Sequence, residues 1–330
     1  MDITDRGPVV CFGEALVLVS DLDTTSPGSA SAAGAEVNVA LNLAAAGTPV
    51  AWIGRVGDDR WGALATGTLM RAGVDVGAVA TDTTRPTGRY AKTVATGPDG
   101  RPTTRMHYRR AGSAATATDP PFLTGAPVRS RLAAASWVHL SGITAAVSPS
   151  CAAALDALLA RPRPYRVTFD INWREQMWPD GDPARVAGLA AQADVVLVGA
   201  DEAERVFGTA DPAGLRALLP APDLVVVKDG ATRALAVQRD GSVVARPALA
   251  VDVVEPVGAG DAFAAGLLAG LVRGDDVGRC LRRGHLGAAA VLVVPGDSAA
   301  PLPAHLLDLD DDGWAALRVG PGGVVAGVPA

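Results

Sequence analysis

The stretch YRVTFDINWREQMWPDGDPARVAGLAAQADVVLVG, residues 165–199, decides the fold. It begins and ends on short apolar runs, YRVTFDIN (165–172) and ADVVLVG (193–199). Between them, residues 183–193 have the composition of a helix. A helical crossover places two successive strands parallel in one sheet. Runs this apolar belong in a sheet covered on both faces.

The same alternation continues outward. PVVCFGEALVLV (8–19), VAWIGRVG (50–57), SWVHLSG (136–142), DLVVVKDG (223–230) and VDVVEPVG (251–258) read as further strands. EVNVALNLAAAG (36–47) is helix-like and closes on Gly47, a natural residue just past a helix end. Residues 148–160 and 261–273 are helix-like too. The expectation is a single α/β domain over 1–330, built on a doubly wound, mostly parallel sheet flanked by helices.

One region breaks the rhythm. RPTGRYAKTVATGPDGRPTTRMHYRR (85–110) reads as two polar, alternating strands joined by a PDG turn. With the strand near 12–20 it predicts a small protruding sheet, placed to cover a site or to join subunits of a homo-oligomer. The tail 307–330 runs from LDLDDDG into Gly, Pro, Val and Ala and reads as loosely held.

Composition narrows the function. Hydrophobic residues make up 49% and charged residues 19%, which supports a large core and argues against wholesale disorder. A net charge of −6 argues against a nucleic-acid partner but allows a locally basic site. Cys11, Cys151 and Cys280 are odd in number and scattered, so neither a disulfide framework nor a zinc site is expected. The start MDITDRG lacks the basic and apolar regions of a secretory signal. No apolar run reaches the length of about 18 residues that a membrane span needs. The chain therefore reads as cytoplasmic.

The chemistry concentrates in VDVVEPVGAGDAFAAGLLAGLVRG (251–274). A strand is expected to run into Gly258-Ala259-Gly260, with Asp261 opening a helix. Glycines let the backbone approach a ligand, and the unpaired first amides of a helix bind anions. A carboxylate beside such a turn can accept the proton of an attacking hydroxyl while the amides hold a transferred phosphoryl group. An ordinary helix cap is the simpler reading of those four residues alone. Phe263 stands where a dinucleotide fingerprint needs its third glycine, and no GxxxxGK[ST] occurs, so neither a Rossmann oxidoreductase nor a P-loop kinase fits.

GAGDAFAAG resembles the second signature of the ribokinase-like sugar kinases, the pfkB family. AAGAEVNVALNLAAAG (32–47) with VAWIGRVGDDRWG (50–62) resembles its first. GAEVN, YRRAGSAA (108–115), LSGIT (140–144) and FDINWREQMW (169–178) are similar to its 2-keto-3-deoxygluconate kinase branch, and the resemblance spans residues 8 to 305. It implies an ATP-dependent kinase of the 6-hydroxyl of 2-keto-3-deoxygluconate. Asp261 would be the base, and the amides around Gly258, Ala259 and Gly260 the anion hole. It aligns Gly34, Asn38, Tyr90, Tyr108, Arg110, Arg174 and Asp297 with sugar-acid contacts. It places the nucleotide along Lys228 to Arg233, with Gly230 at the phosphates. Glu202 would act near Mg²⁺, through water. A monovalent cation near 252–254 and the 290s is a further family feature. Glu255 and Gly199 stand where the family has Asp and Asn, and Arg109 where the branch has a second Tyr.

The residue chemistry agrees with an acidic substrate. Tyr108 and Arg110 are two apart on a strand and share a face. Val167, Phe169 and Ile171 should face the core, with Thr168, Asp170 and Asn172 opposite and Arg174 just past the strand end. Arg110 and Arg174 offer forked, charge-assisted contacts to a carboxylate. His285 is read as structural. A kinase for a neutral sugar such as fructose or ribose, or a non-catalytic sugar-acid sensor, are the alternatives.

Overall fold

The computed structural model describes residues 7–24, 28, 30–96, 102–178 and 182–326. Its centre is an eight-stranded sheet. From one edge the strands are Val243–Pro247, Arg233–Gln238, Leu224–Asp229, Val195–Gly199, Arg166–Asp170, Trp137–Ser141, Val9–Phe12 and Val50–Ile53. The last six are mutually parallel, and Arg233–Gln238 and Val243–Pro247 return antiparallel at one edge. Successive side chains of a strand serve opposite faces. Val9 and Cys11 enter one apolar cluster with Trp52 and Phe263, while Val10 and Phe12 enter another with Phe169 and Leu155. Two packed layers therefore explain why the strands are continuously apolar.

The first strand has Val50–Ile53 on one side and Trp137–Ser141 on the other. The chain thus departs in opposite directions from the carboxyl end of Val9–Phe12, and such a switch point leaves a crevice. The apolar run 8–19 does not stay in one sheet. Val9–Phe12 lies in the main sheet, while Leu16–Val19 pairs with Ser31–Ala33 and Gly88–Thr96. The change of sheet falls at Glu14, a buried carboxylate that an all-apolar strand would not carry. Gly88–Thr96 and Pro102–Arg109 form the antiparallel ladder of this small four-stranded sheet. The PDG turn, 98–100, lies outside the described residues.

Two expectations are corrected. The segment 251–258 is not a strand of the main sheet. Only Ala250–Val251 is extended, and it pairs with Arg318–Gly320 of the tail, because Pro256 and the turn glycine leave no room for a longer ladder. The tail is also not loose through residue 326. A helix, Asp311–Ala316, and the strands Arg318–Gly320 and Gly323–Ala326 fold back on the domain. Trp314, Leu317 and Val319, hidden in an acidic and glycine-rich sequence, are buried against Leu249, Leu286 and Val293. Burying a large aromatic side chain with aliphatic neighbours offsets the entropy of ordering such a segment.

Candidate active site

A cavity of about 1020 Å³ opens at the switch point, under the small sheet. Every residue given a substrate, nucleotide or metal role above lines it, from Gly34 to Asp297. At its centre is the 258–261 turn. Gly258 has φ +83°, and a Cβ there would lie 2.9 Å from the Cα of Asp297, so both conformation and space require glycine. The helix spans Ala259–Arg273, and Ala262 N–H is bonded to the Gly258 carbonyl at 2.9 Å. The amides at its start precede the intrahelical ladder, and residues 257–261 line the cavity.

Asp261 is the third residue of this helix, not the residue that opens it, and its carboxylate does not cap the turn. It reaches across to the helix Ala35–Ala45, where Asn38 Nδ2 donates to Asp261 Oδ2 at 2.8 Å. Asn172 Nδ2 approaches Oδ1 at 3.5 Å. Burial raises the Asp261 carboxyl to about 7, with the nearby Asp170 adding to the rise while Asn38, Lys228 and Arg174 oppose it. A carboxyl tuned to neutral pH and held by amide donors is suited to take a proton.

Asn172 is a residue the sequence reading placed on the site face but gave no role. Its φ of +42° is the one positive value outside glycine among the described residues. Strain of this kind persists where surroundings impose it and clusters at functional sites. The signal for it was the polar Asp-Ile-Asn ending of an otherwise apolar strand. Asp170 was passed over for the same reason; it holds Lys228 Nζ at 2.7 Å. Burial opposes the charge of Lys228, yet Asp170, Glu202 and Asp261 together hold its ammonium above the ordinary lysine value.

One side of the cavity is a polar network. Gly34, with φ +127°, starts the helix of Asn38, and a Cβ there would collide with the Glu14 carbonyl. Tyr90 and Tyr108 are directly opposite in the ladder of the small sheet and stack with ring centres 5.6 Å apart. Tyr90 OH donates to Asp297 Oδ2 at 3.4 Å, and Lys92 Nζ lies 3.4 Å from Glu255 Oε2. Glu255 therefore faces the lid rather than the centre of the cavity. The Arg110 guanidinium sits 5.6 Å above the Tyr108 ring and is paired with the buried Glu14. Arg109 points away and pairs with Asp23 at 2.9 Å, which explains why it needs no place in the site.

The two arginines are thus not unengaged. Arg174 Nη1 lies 3.1 Å from Glu202 Oε1. Glu202 also accepts from the Gly199 amide at 2.9 Å, closing the start of the helix Ala200–Phe207. Glu14, missed in the sequence, is the charged interruption of an apolar run. Each guanidinium keeps further N–H groups for a ligand.

At the other end the wall is apolar, with Leu249, Val251, Phe263, Ala288 and Ala289 facing the cavity. Gly230, at φ +48°, and the exposed Arg233 lie at the turn between the two strands beside it. His285 is buried, hydrogen-bonds the Arg246 carbonyl at 3.1 Å and meets the Phe263 ring edge-on. Burial pulls its imidazole down to about 4, so it is a neutral, structural ring. Among the described residues no group of three or more His, Cys, Asp or Glu side chains could cage a metal ion. No helix among them is long and apolar enough to cross a membrane.

Residues 8–305 match the family described as pfkB family carbohydrate kinase. A 2-dehydro-3-deoxygluconokinase of Thermoproteus tenax is 33% identical over 91% of this chain and 93% of its own. A 2-dehydro-3-deoxygalactonokinase of Haloferax volcanii is 30% identical over 89% of this chain and 94% of its own. Among solved structures, the fructokinase of Vibrio cholerae with fructose, ADP and calcium ion bound is 25% identical. It superposes with a TM-score of 0.75 over 90% of this chain and 96% of that one.

Proposed function

The chain belongs to the pfkB family of carbohydrate kinases, which transfer a phosphoryl group to a sugar hydroxyl, and we propose that its substrate is the sugar acid 2-keto-3-deoxygluconate, phosphorylated at the 6-hydroxyl. The carrying observation is the Asp261 carboxylate, half-buried at a glycine turn that lines the cavity, beneath a small sheet that presents tyrosines and an arginine. ATP supplies the transferable phosphoryl group. The apolar end of the cavity suits an adenine base, and Lys228, Gly230, Arg233 and the 258–261 turn suit its phosphates. Mg²⁺ would arrive on the phosphates, with Glu202 as the nearby carboxylate, since Mg²⁺ keeps most of its water.

Asn38 and Asn172 orient the Asp261 carboxylate by donating to its two oxygens. Asp261 then accepts the proton of the attacking hydroxyl, and the turn amides stabilise negative charge developing on the transferred group. The substrate carboxylate would draw Arg110 and Arg174 partly from Glu14 and Glu202. Tyr90, Tyr108 and Asp297 would bind hydroxyl groups, and Gly34 admits the sugar close to the backbone.

ADP formation measured with and without 2-keto-3-deoxygluconate tests this reading. Turnover that depends on the keto acid supports it, and binding without turnover would replace it with a sensor.

A further inference from the structure

Residues 306–326 lie beyond the family match, yet several of them pack against the back of the cavity wall. Trp314 is 1% exposed and packs with Leu249, Leu286, Ala289 and Val293. Leu249 and Ala289 also face the cavity. Its indole Nε1 donates to the Pro247 carbonyl at 3.0 Å. That carbonyl marks where the chain leaves the main sheet for the cavity wall at 248–251. The Arg282 guanidinium lies over the Trp314 ring, 4.8 Å from its centre, and pairs with Asp311 of the tail helix at 2.7 Å.

The tail also supplies the strand partner of the wall. Ala250 and Val251 pair in parallel with Arg318 and Val319, and Asp252 N–H donates to the Val319 carbonyl at 2.9 Å. Just beyond, Val253 and Val254 are exposed by half or more. His285, which touches the cavity, is fixed between the Arg246 carbonyl, Phe263 and Trp314, the last at 6.4 Å. A wall that leaves its own sheet after residue 247 therefore takes its position from residues 314–319.

We propose that Trp314 and the strand Arg318–Gly320 are positioning elements of the nucleotide pocket, holding segment 247–252 and His285 as the apolar wall against which the base of ATP packs. This rests on the reading above that the apolar end receives the nucleotide. Among the described residues no hydrogen bond or ion pair joins the tail to a group assigned to the sugar, so its effect should fall on one ligand only.

The test is direct binding of ATP and, separately, of 2-keto-3-deoxygluconate by calorimetry to the full-length chain. Trp314→Phe keeps an aromatic ring and removes the bond to Pro247. It should weaken ATP about fivefold, the worth of one buried hydrogen bond, and leave the sugar-acid Kd unchanged. Trp314→Ala, checked for an intact fold by circular dichroism and read by the same two ligands, should weaken ATP further. An unchanged ATP Kd in Trp314→Phe, or equal weakening of both ligands, would overturn the proposal. Ala288→Trp, which fills the apolar end itself, should abolish ATP binding. If it does not, the nucleotide lies elsewhere and the underlying placement falls, whatever Trp314 does.

Discussion

The two ends of the cavity are built on different plans. The polar end, the one we assign to the sugar, is a web of side chains drawn from distant parts of the chain: Asn38, Tyr90, Arg110, Asn172, Asp261 and Asp297. Asn38, Tyr90 and Asn172 are buried and the other three are partly buried, so they hold one another out of bulk water. The other end, which we assign to the nucleotide, is an apolar wall whose supports lie behind it, in Trp314 and the strand Arg318–Gly320. Removing a member of the web leaves a buried partner unsatisfied, which is costly. Removing a support from the wall only loosens it. Substitutions at the two ends should therefore differ in size and in which ligand they affect.

The largest effect is expected at Asp261. Asp261→Asn should lower kcat about a thousandfold, within the range of a lost general base, while the KM values for both substrates move little. Steady-state kinetics of a folded variant decide this, and a small loss would remove Asp261 from the chemistry. Arg110→Met comes next. Losing a charge-assisted contact, and leaving Glu14 buried without its cation, should lower kcat/KM for the keto acid roughly 10- to 100-fold with ATP affinity kept. The more exposed Arg174 should cost less in the same assay.

The pH profile sharpens the polar end further. The base must be ionised, and burial holds Asp261 at about 7, so kcat/KM should rise with pH and level off above that value. Asn38→Asp replaces a donor to Asp261 with a second carboxylate. That like charge should move the rising limb upward by about a unit. An unmoved limb would mean that another group titrates. The fivefold loss of ATP affinity expected for Trp314→Phe is smaller and confined to the other ligand. Arg109→Ala should change neither ligand's kinetics, because its side chain faces Asp23 and the lid exterior.

These plans also explain how much could be read from the sequence. The parallel sheet was legible because strands buried on both faces are continuously apolar, as in Val195–Gly199. The site was legible because glycines and polar residues interrupt such runs at their carboxyl ends, and those ends converge. Asp170 and Asn172 end a strand this way, whereas Gly34 and the 258–261 turn announce themselves as glycine entries to helices, with Asn38 a polar residue inside one. The hairpin 85–110 was legible as a separate small sheet because its strands are polar. Two things were not. The partners of Arg110 and Arg174 are Glu14 and Glu202, and no spacing rule links residues so far apart. The tail looked loose because its packing rests on a few apolar residues, Leu307, Trp314, Leu317 and Val319, set in an acidic, glycine-rich context. Composition averages over a segment, whereas docking depends on where a few side chains point.

The central claim is that the polar end selects an acidic sugar for phosphorylation. The most direct measurement compares kcat/KM for 2-keto-3-deoxygluconate, fructose and ribose in one ADP-release assay at saturating Mg·ATP. The account predicts that the keto acid exceeds both neutral sugars by roughly 10- to 100-fold or more, the worth of its charged contacts. Equal or better turnover of fructose or ribose would contradict it.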